Sequence, residues 1–78
     1  MKLELFKRDS CPYCVKVMMF IDELGVGDQI EYCDISRDAD ARRRLLEVGG
    51  KQQVPCLFID GEPLYESAGI MRWIEAHL

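Results

Sequence analysis

The stretch that decides the fold runs from residue 3 to residue 14 and reads LELFKRDSCPYC. The apolar residues at its start predict a β-strand. Pro12 then stands where a proline favours the first turn of a helix, so that Ser10 or Cys11 would cap this helix. The stretch therefore predicts a strand that leads directly into a helix, with a cysteine pair at the junction.

A strand–helix–strand unit is predicted over the first part of the chain. Apolar residues at helical spacing continue from the junction to Leu24, and Gly25 ends the helix. A second strand is predicted over residues 30–35. Because the connection in such a unit is right-handed, the two strands should run parallel. A second helix follows, capped by Ser36 or Asp38.

The remaining residues predict a hairpin and a final helix. A short apolar strand over residues 56–59 is followed by Asp60-Gly61, a strong hairpin signal. Pro63 on the return strand favours an edge position in the sheet, and a last helix begins at Glu66-Ser67. The predicted fold class is α/β, a four-stranded mixed sheet flanked by three helices in the order βαβαββα.

Composition limits the possible functions. A chain of 78 residues predicts a single domain over residues 1–78. The net charge of −4 gives no general case for binding nucleic acid or an anionic membrane. No apolar run approaches the roughly 20 residues of a membrane span, and the first residues lack the features of a signal peptide. We therefore expect a cytoplasmic protein, in which cysteines are more often catalytic, metal-binding or buried than paired in structural disulfides.

The segment Cys11-Pro12-Tyr13-Cys14 predicts thiol chemistry. A sulfur at a helix N-terminus is stabilised as a thiolate by free N–H groups and by the helix dipole. Thiol pKa values in such places fall from about 8.5 to between about 3.5 and 7.5. The cations of Arg8 and Lys16 would add to this effect. We assign Cys11 as the nucleophile and Cys14 as the resolving thiol.

A zinc site is the alternative use of a cysteine pair. Such sites usually need a second pair of cysteines or histidines at close spacing. Cys33 and Cys56 stand alone in the sequence, and His77 is the only histidine. We therefore expect no bound metal.

The pair Val54-Pro55 stands just before the predicted strand over residues 56–59. An ordinary trans proline could mark the start of that strand. Together with the cysteine motif, however, the pair predicts a cis peptide bond that faces the two sulfurs. The backbone N–H and C=O of Val54 would then be free to pair with an extended peptide.

Glu66-Ser67 at the start of the last helix has two interpretations. Ser67 could act only as the helix cap. Alternatively, the exposed N–H groups and the Ser67 hydroxyl could hold a ligand carboxylate, while Glu66 accepts from a ligand ammonium group. The head group of a free amino acid carries both charges on one carbon.

These motifs together resemble the glutaredoxins, whose dithiol site is similar to Cys11-Pro12-Tyr13-Cys14. Val54-Pro55 is similar to the second half of their Thr-Val-Pro segment, and Gln53 stands in place of the Thr. The resemblance implies a thioredoxin fold and glutathione or glutathionylated protein as substrate. It also implies binding roles for Arg8, as the basic residue before the motif, and for Tyr13, which would lie beside the tripeptide. Lys51 would meet the glycine carboxylate. Val54 would pair with the cysteinyl backbone.

A second resemblance concerns the segment from Leu64 to Ile70. It is similar to the Glu/Gln-Ser segment of glutathione transferase N-terminal domains, which grips the γ-glutamyl group. By this resemblance Glu66 and Ser67 would bind the same part of glutathione. A full transferase carries a further all-helical domain.

The sequence thus predicts an enzyme, a glutathione-dependent thiol-disulfide oxidoreductase that reduces protein disulfides or glutathione mixed disulfides. Glutathione would be its reductant, glutathionylated or disulfide-containing proteins its partners, and the monomer its working form. The alternative is a glutathione-binding module without redox turnover. Such a module would be either an iron–sulfur cluster carrier that uses Cys11 or a transferase-like domain.

Overall fold

The order of elements in the computed structural model, which describes all residues 1–78, is the predicted βαβαββα. The strands are β1 (Leu3–Lys7), β2 (Glu31–Asp34), β3 (Cys56–Ile59) and β4 (Glu62–Tyr65). The helices are α1 (Pro12–Leu24), α2 (Ala39–Gly49) and α3 (Ser67–His77). A short 3-10 turn at Gly27–Gln29 was not predicted. No helix has the length and apolar character needed to cross a membrane.

The four strands form one mixed sheet in the order β2-β1-β3-β4. β1 and β2 run parallel, as predicted, whereas β3 is antiparallel to both β1 and β4. Asp60 and Gly61 join β3 to β4 with positive φ values of 49° and 87°, as the tight turn of a hairpin requires. Pro63 lies on the edge strand β4. A residue without an N–H group is tolerated there, because the sheet interior loses no hydrogen bond.

The central strand β1 separates two apolar layers because its side chains alternate between the faces of the sheet. Leu3 and Leu5 pack with α1 and α3, whereas Phe6 packs with α2 on the opposite face. The larger cluster comprises Leu3, Leu5, Val17, Ile21, Val26, Ile30, Leu57, Ile70 and Ile74. The smaller one comprises Phe6, Ile35, Ala41, Leu45, Cys56 and Phe58. This three-layer α/β arrangement confirms the predicted fold class.

One charged side chain of β1 is buried on the face that α2 covers. Glu4 is 3% exposed and accepts hydrogen bonds from both terminal nitrogens of Arg44, at 2.8 and 3.1 Å. The guanidinium carbon lies 5.5 Å from the ring centre of Phe6 and 5.8 Å from that of Phe58. Hydrogen bonding from Arg44 lowers the pKa of Glu4, although desolvation opposes this shift. A run of charged residues such as Arg42-Arg43-Arg44 is typical of a solvated helix face, yet Arg44 reaches the sheet and pairs with Glu4.

We predict that Arg44→Met lowers the free energy of unfolding by about 2 kcal/mol, because it removes both hydrogen bonds to the buried Glu4 carboxylate and leaves only the exposed Lys2 ammonium group, at 3.9 Å. Urea unfolding monitored by circular dichroism measures this change. Arg43→Met is the matched control, since Arg43 pairs only with the exposed Asp40 and should alter stability by no more than about 0.5 kcal/mol. Equal effects of the two substitutions would contradict the role of the buried pair.

Candidate active site

The junction between β1 and α1 places the first cysteine at the helix start. Cys11 is the N-cap residue of α1, with an extended backbone (φ −90°, ψ 117°), and Pro12 occupies the first turn. The Cys11 N–H donates to the carbonyl of Arg8 at 3.1 Å, which closes the connecting loop. Of the two predicted caps, Ser10 and Cys11, the structure selects Cys11.

The two sulfurs of the motif differ in environment. Cys11 is partly exposed, whereas Cys14 has no exposed surface and lies one turn into α1. Both are free thiols in this structure. A substrate can therefore reach Cys11 directly, whereas Cys14 is shielded from solvent.

The pKa values follow this difference. Desolvation acts against ionisation of Cys11, but hydrogen bonding from Cys14 and from the Tyr13 N–H, together with the charge of Arg8, outweighs it and lowers the pKa of Cys11. Desolvation and the neighbouring Cys11 sulfur raise the pKa of Cys14 to about 11. At neutral pH the pair therefore offers one activated sulfur and one that stays protonated.

The loop before β3 faces this sulfur. The Val54–Pro55 peptide bond is cis, as predicted, and the Cys11 thiol donates to the Val54 carbonyl at 3.8 Å. The expectation that this carbonyl is free is thus wrong for the protonated thiol. Ionisation of Cys11 removes the donor and releases the carbonyl.

A pocket of about 230 Å³ opens beside the cysteines. It joins three segments that are distant in sequence: the start of α1, the loop before β3 and the start of α3. Its lining residues are Tyr13, Gln53, Val54, Pro55, Glu66 and Ser67. All six were singled out from the sequence, and the structure brings them together.

Two residues to which the resemblance gives a role in binding glutathione do not line the pocket. Arg8 is exposed in the loop before Cys11 and acts on that thiol through its charge. Lys51 is also exposed, and its Nζ lies 4.7 Å from the centre of the Tyr65 ring. Any contact of these two side chains with a ligand would be made from outside the pocket lining.

The backbone at Glu66 is unusual. Glu66 is the N-cap of α3, with φ 79° and ψ 117°, and its side chain makes no capping hydrogen bond. Since Glu66 occupies the cap, Ser67 is the first residue of the helix and the interpretation of Ser67 as a simple cap is wrong. Non-glycine residues in sparsely populated backbone regions cluster at functional sites, and this one lies on the pocket wall.

The other two cysteines are poor nucleophiles. Cys56 is buried directly after Pro55, while Cys33 on β2 is only partly buried. Desolvation raises the pKa of each to about 11. No three side chains among the histidines, cysteines, aspartates and glutamates are grouped as a metal site would require.

Sequence reasoning missed Tyr65. Its hydroxyl donates to the Lys51 carbonyl at 2.7 Å, a contact across 14 residues that no local pattern predicts. The only available signal was its position directly before Glu66-Ser67.

The fold and the site define a class: a thioredoxin-fold protein with a dithiol at a helix N-terminus and a cis-proline beside it. Residues 10–77 match the family described as glutathione S-transferase, N-terminal domain. A probable glutaredoxin from Synechocystis is 34% identical over 62 residues, which cover 78% of this chain and 68% of that protein. The chain belongs to the glutaredoxin family and has the form of a transferase N-terminal domain.

Solved structures are similar over nearly the whole chain. The thioredoxin-like protein BC3987 has a TM-score of 0.81 at 31% identity, with 99% of this chain and 100% of that chain covered. A buckwheat glutaredoxin–glutathione complex has a TM-score of 0.72 at 25% identity, with 95% and 68% covered. Among three curated glutaredoxins that match, the aligned region spans between 50% and 68% of the relative's length.

We predict that Cys11 reacts with iodoacetamide before the other cysteines and that its reaction rate rises with pH through a midpoint below the free-thiol value of about 8.5. The lowered pKa of Cys11 increases its thiolate fraction, whereas the pKa values of Cys14, Cys33 and Cys56 are raised to about 11. Mass spectrometry of peptides alkylated at a series of pH values measures each site. A midpoint for Cys11 at or above that of a free thiol would contradict the assigned environment.

Proposed function

We propose that the protein is a glutathione-dependent thiol-disulfide oxidoreductase that acts on protein disulfides or glutathione mixed disulfides. The observation that carries the proposal is the pocket formed by Tyr13, residues 53–55 and Glu66-Ser67 next to a thiol of lowered pKa. Glutaredoxin relatives and the glutathione complex of the buckwheat protein support the ligand. We also propose a cytoplasmic location, with reduced glutathione as the electron donor, and a monomeric form.

The polar groups of the pocket suit the two charges at the γ-glutamyl end of the tripeptide. Glu66 offers an acceptor for the γ-glutamyl ammonium group, and the N–H groups at the start of α3 with the Ser67 hydroxyl offer donors for its carboxylate. The N–H of Val54, and its carbonyl once Cys11 has ionised, can pair with the cysteinyl backbone. The glutathione sulfur would then lie beside Cys11.

The reaction follows from the two thiol environments. The Cys11 thiolate attacks the glutathione sulfur of a mixed disulfide, so that a Cys11–glutathione disulfide forms and the substrate leaves as a thiolate, which takes up a proton. A second glutathione thiolate then attacks this new disulfide at the glutathione sulfur, which releases glutathione disulfide and restores the Cys11 thiolate. Two electrons pass from glutathione to the substrate in each cycle.

Cys14 provides a second route of regeneration. Once deprotonated, its sulfur can attack Cys11 and displace glutathione, which leaves a Cys11–Cys14 disulfide for later reduction. The raised pKa of about 11 keeps Cys14 protonated while the Cys11 thiolate is present. Conversion of Cys11 to a neutral disulfide removes part of the cause of that shift, so that Cys14 becomes more acidic when it is needed.

We predict that Cys11→Ser abolishes the glutathione-dependent reduction of a cysteine–glutathione mixed disulfide, measured with glutathione reductase and NADPH. An alcohol at this position is not ionised at neutral pH and cannot replace the thiolate. Cys33→Ser is the matched control and should keep full activity, because Cys33 lies on β2, away from the pocket lining. Retained turnover in Cys11→Ser would overturn the nucleophile assignment.

We predict that Glu66→Gln weakens glutathione binding about tenfold, since it removes the charge that would pair with the ligand ammonium group. Isothermal titration calorimetry with reduced glutathione measures the dissociation constant. Glu62→Gln is the matched control because it removes an exposed carboxylate of β4 outside the pocket lining, and it should change the constant less than twofold. Equal affinities of the two variants would contradict the assigned subsite.

A glutathione-binding module without turnover is the second candidate, favoured by the match to transferase N-terminal domains. The two measurements above separate the candidates. Heat of binding in wild-type protein without disulfide reduction supports the module, and both together support the oxidoreductase.

A further inference from the structure

Tyr65 connects two parts of the pocket wall. It is the last residue of β4 and is followed directly by Glu66 and Ser67. Its hydroxyl donates to the Lys51 carbonyl at 2.7 Å, two residues before Gln53. One hydrogen bond therefore joins the strand that leads to Glu66 with the loop that carries Val54.

The loop between α2 and β3 has few other attachments of this kind. Gly50 donates to the Leu46 carbonyl and so belongs to the end of α2. The Val54 carbonyl accepts from the Cys11 thiol, a contact that ionisation removes. The aromatic ring of Tyr65 also lies under the Lys51 ammonium group, at 4.7 Å. Tyr65 thus holds both the main chain and the side chain of Lys51.

The end of α2 leaves room for this hydroxyl. A Cβ atom on Gly49 would lie 2.1 Å from the Tyr65 hydroxyl oxygen and 3.0 Å from the adjacent ring carbon. Gly49 has no positive φ, so its backbone does not require glycine. The close approach of the tyrosine does.

We propose that Tyr65 is a positioning residue that fixes residues 51–54 in the conformation that binds the ligand. This proposal rests on the proposed function, because the ligand is glutathione in its mixed disulfide. A loop that is already ordered loses less conformational entropy when it binds. Loss of the Tyr65 hydroxyl should therefore weaken substrate binding while the chemistry at Cys11 continues.

The test is Tyr65→Phe, which keeps the ring and removes the hydrogen bond. We expect the KM for the cysteine–glutathione mixed disulfide to rise about threefold to tenfold, with kcat within about twofold of wild type. Tyr32→Phe is the matched control, since it removes the hydroxyl of a half-exposed tyrosine on the opposite edge strand. It should leave KM unchanged.

Gly49→Ala perturbs the same contact from the other side. The new methyl group displaces the Tyr65 hydroxyl, so KM should rise as in Tyr65→Phe. In the double variant, Gly49→Ala with Tyr65→Phe, the clash with the hydroxyl oxygen is gone and only the approach to the ring carbon at 3.0 Å remains, so KM should be close to that of Tyr65→Phe alone. Additive increases in KM would show that Gly49 acts independently of Tyr65 and would overturn the proposal.

Loop order supplies a readout that does not depend on turnover. NMR relaxation of the free protein should show backbone order parameters of residues 51–54 falling from about 0.85 in wild type to below about 0.6 in Tyr65→Phe. Unchanged KM, or raised KM without a loss of order, would overturn the positioning role. If the wild-type protein shows no turnover, the proposed function is contradicted rather than the role of Tyr65. The wild-type assay comes first, so the two failures can be told apart.

Discussion

The charge on one sulfur is the condition on which the chemistry of this protein depends. Cys11 can carry it because β1 passes into α1 without an intervening element, so that the first free N–H groups of the helix converge on this side chain. Cys14, one turn further, enters the core, where desolvation is the largest of the influences that raise its pKa. The same helix thus produces a reactive and an unreactive thiol from identical side chains, because Cys11 gains hydrogen bonds and the charge of Arg8 whereas burial dominates at Cys14.

Around this sulfur the sheet acts as a frame. β1 carries apolar residues on one face for α1 and α3, and Glu4 on the other face for Arg44 of α2. The helix that bears the cysteines and the helix that begins at Ser67 therefore lie on the same side of the sheet. The loop with the cis-proline follows α2, the helix on the opposite side of the sheet. The pocket forms where the ends of these layers meet.

Features that depend on neighbouring residues could be predicted from the sequence. The helix start at Pro12, the hairpin at Asp60-Gly61 and the cis bond before Pro55 each follow from a short motif. The pairing of Arg44 with Glu4 could not be predicted, because 40 residues separate them and a run of three arginines is typical of a solvated helix face. The hydrogen bond from Tyr65 to the Lys51 carbonyl could not be predicted either, because every residue has a main-chain carbonyl and the sequence does not show which one accepts. The candidate site residues could be predicted from motifs, whereas the contacts that hold them in place are seen only in the structure.

The positive φ of Glu66 has a consequence for engineering. A side chain in such a backbone region costs on the order of 1–3 kcal/mol, a large sum for a domain of 78 residues. Glycine would relieve this cost, so a selection for higher stability would favour glycine at position 66. The more stable variant would lack the acidic side chain on the pocket wall, so a gain in stability at this position removes a charge from the pocket.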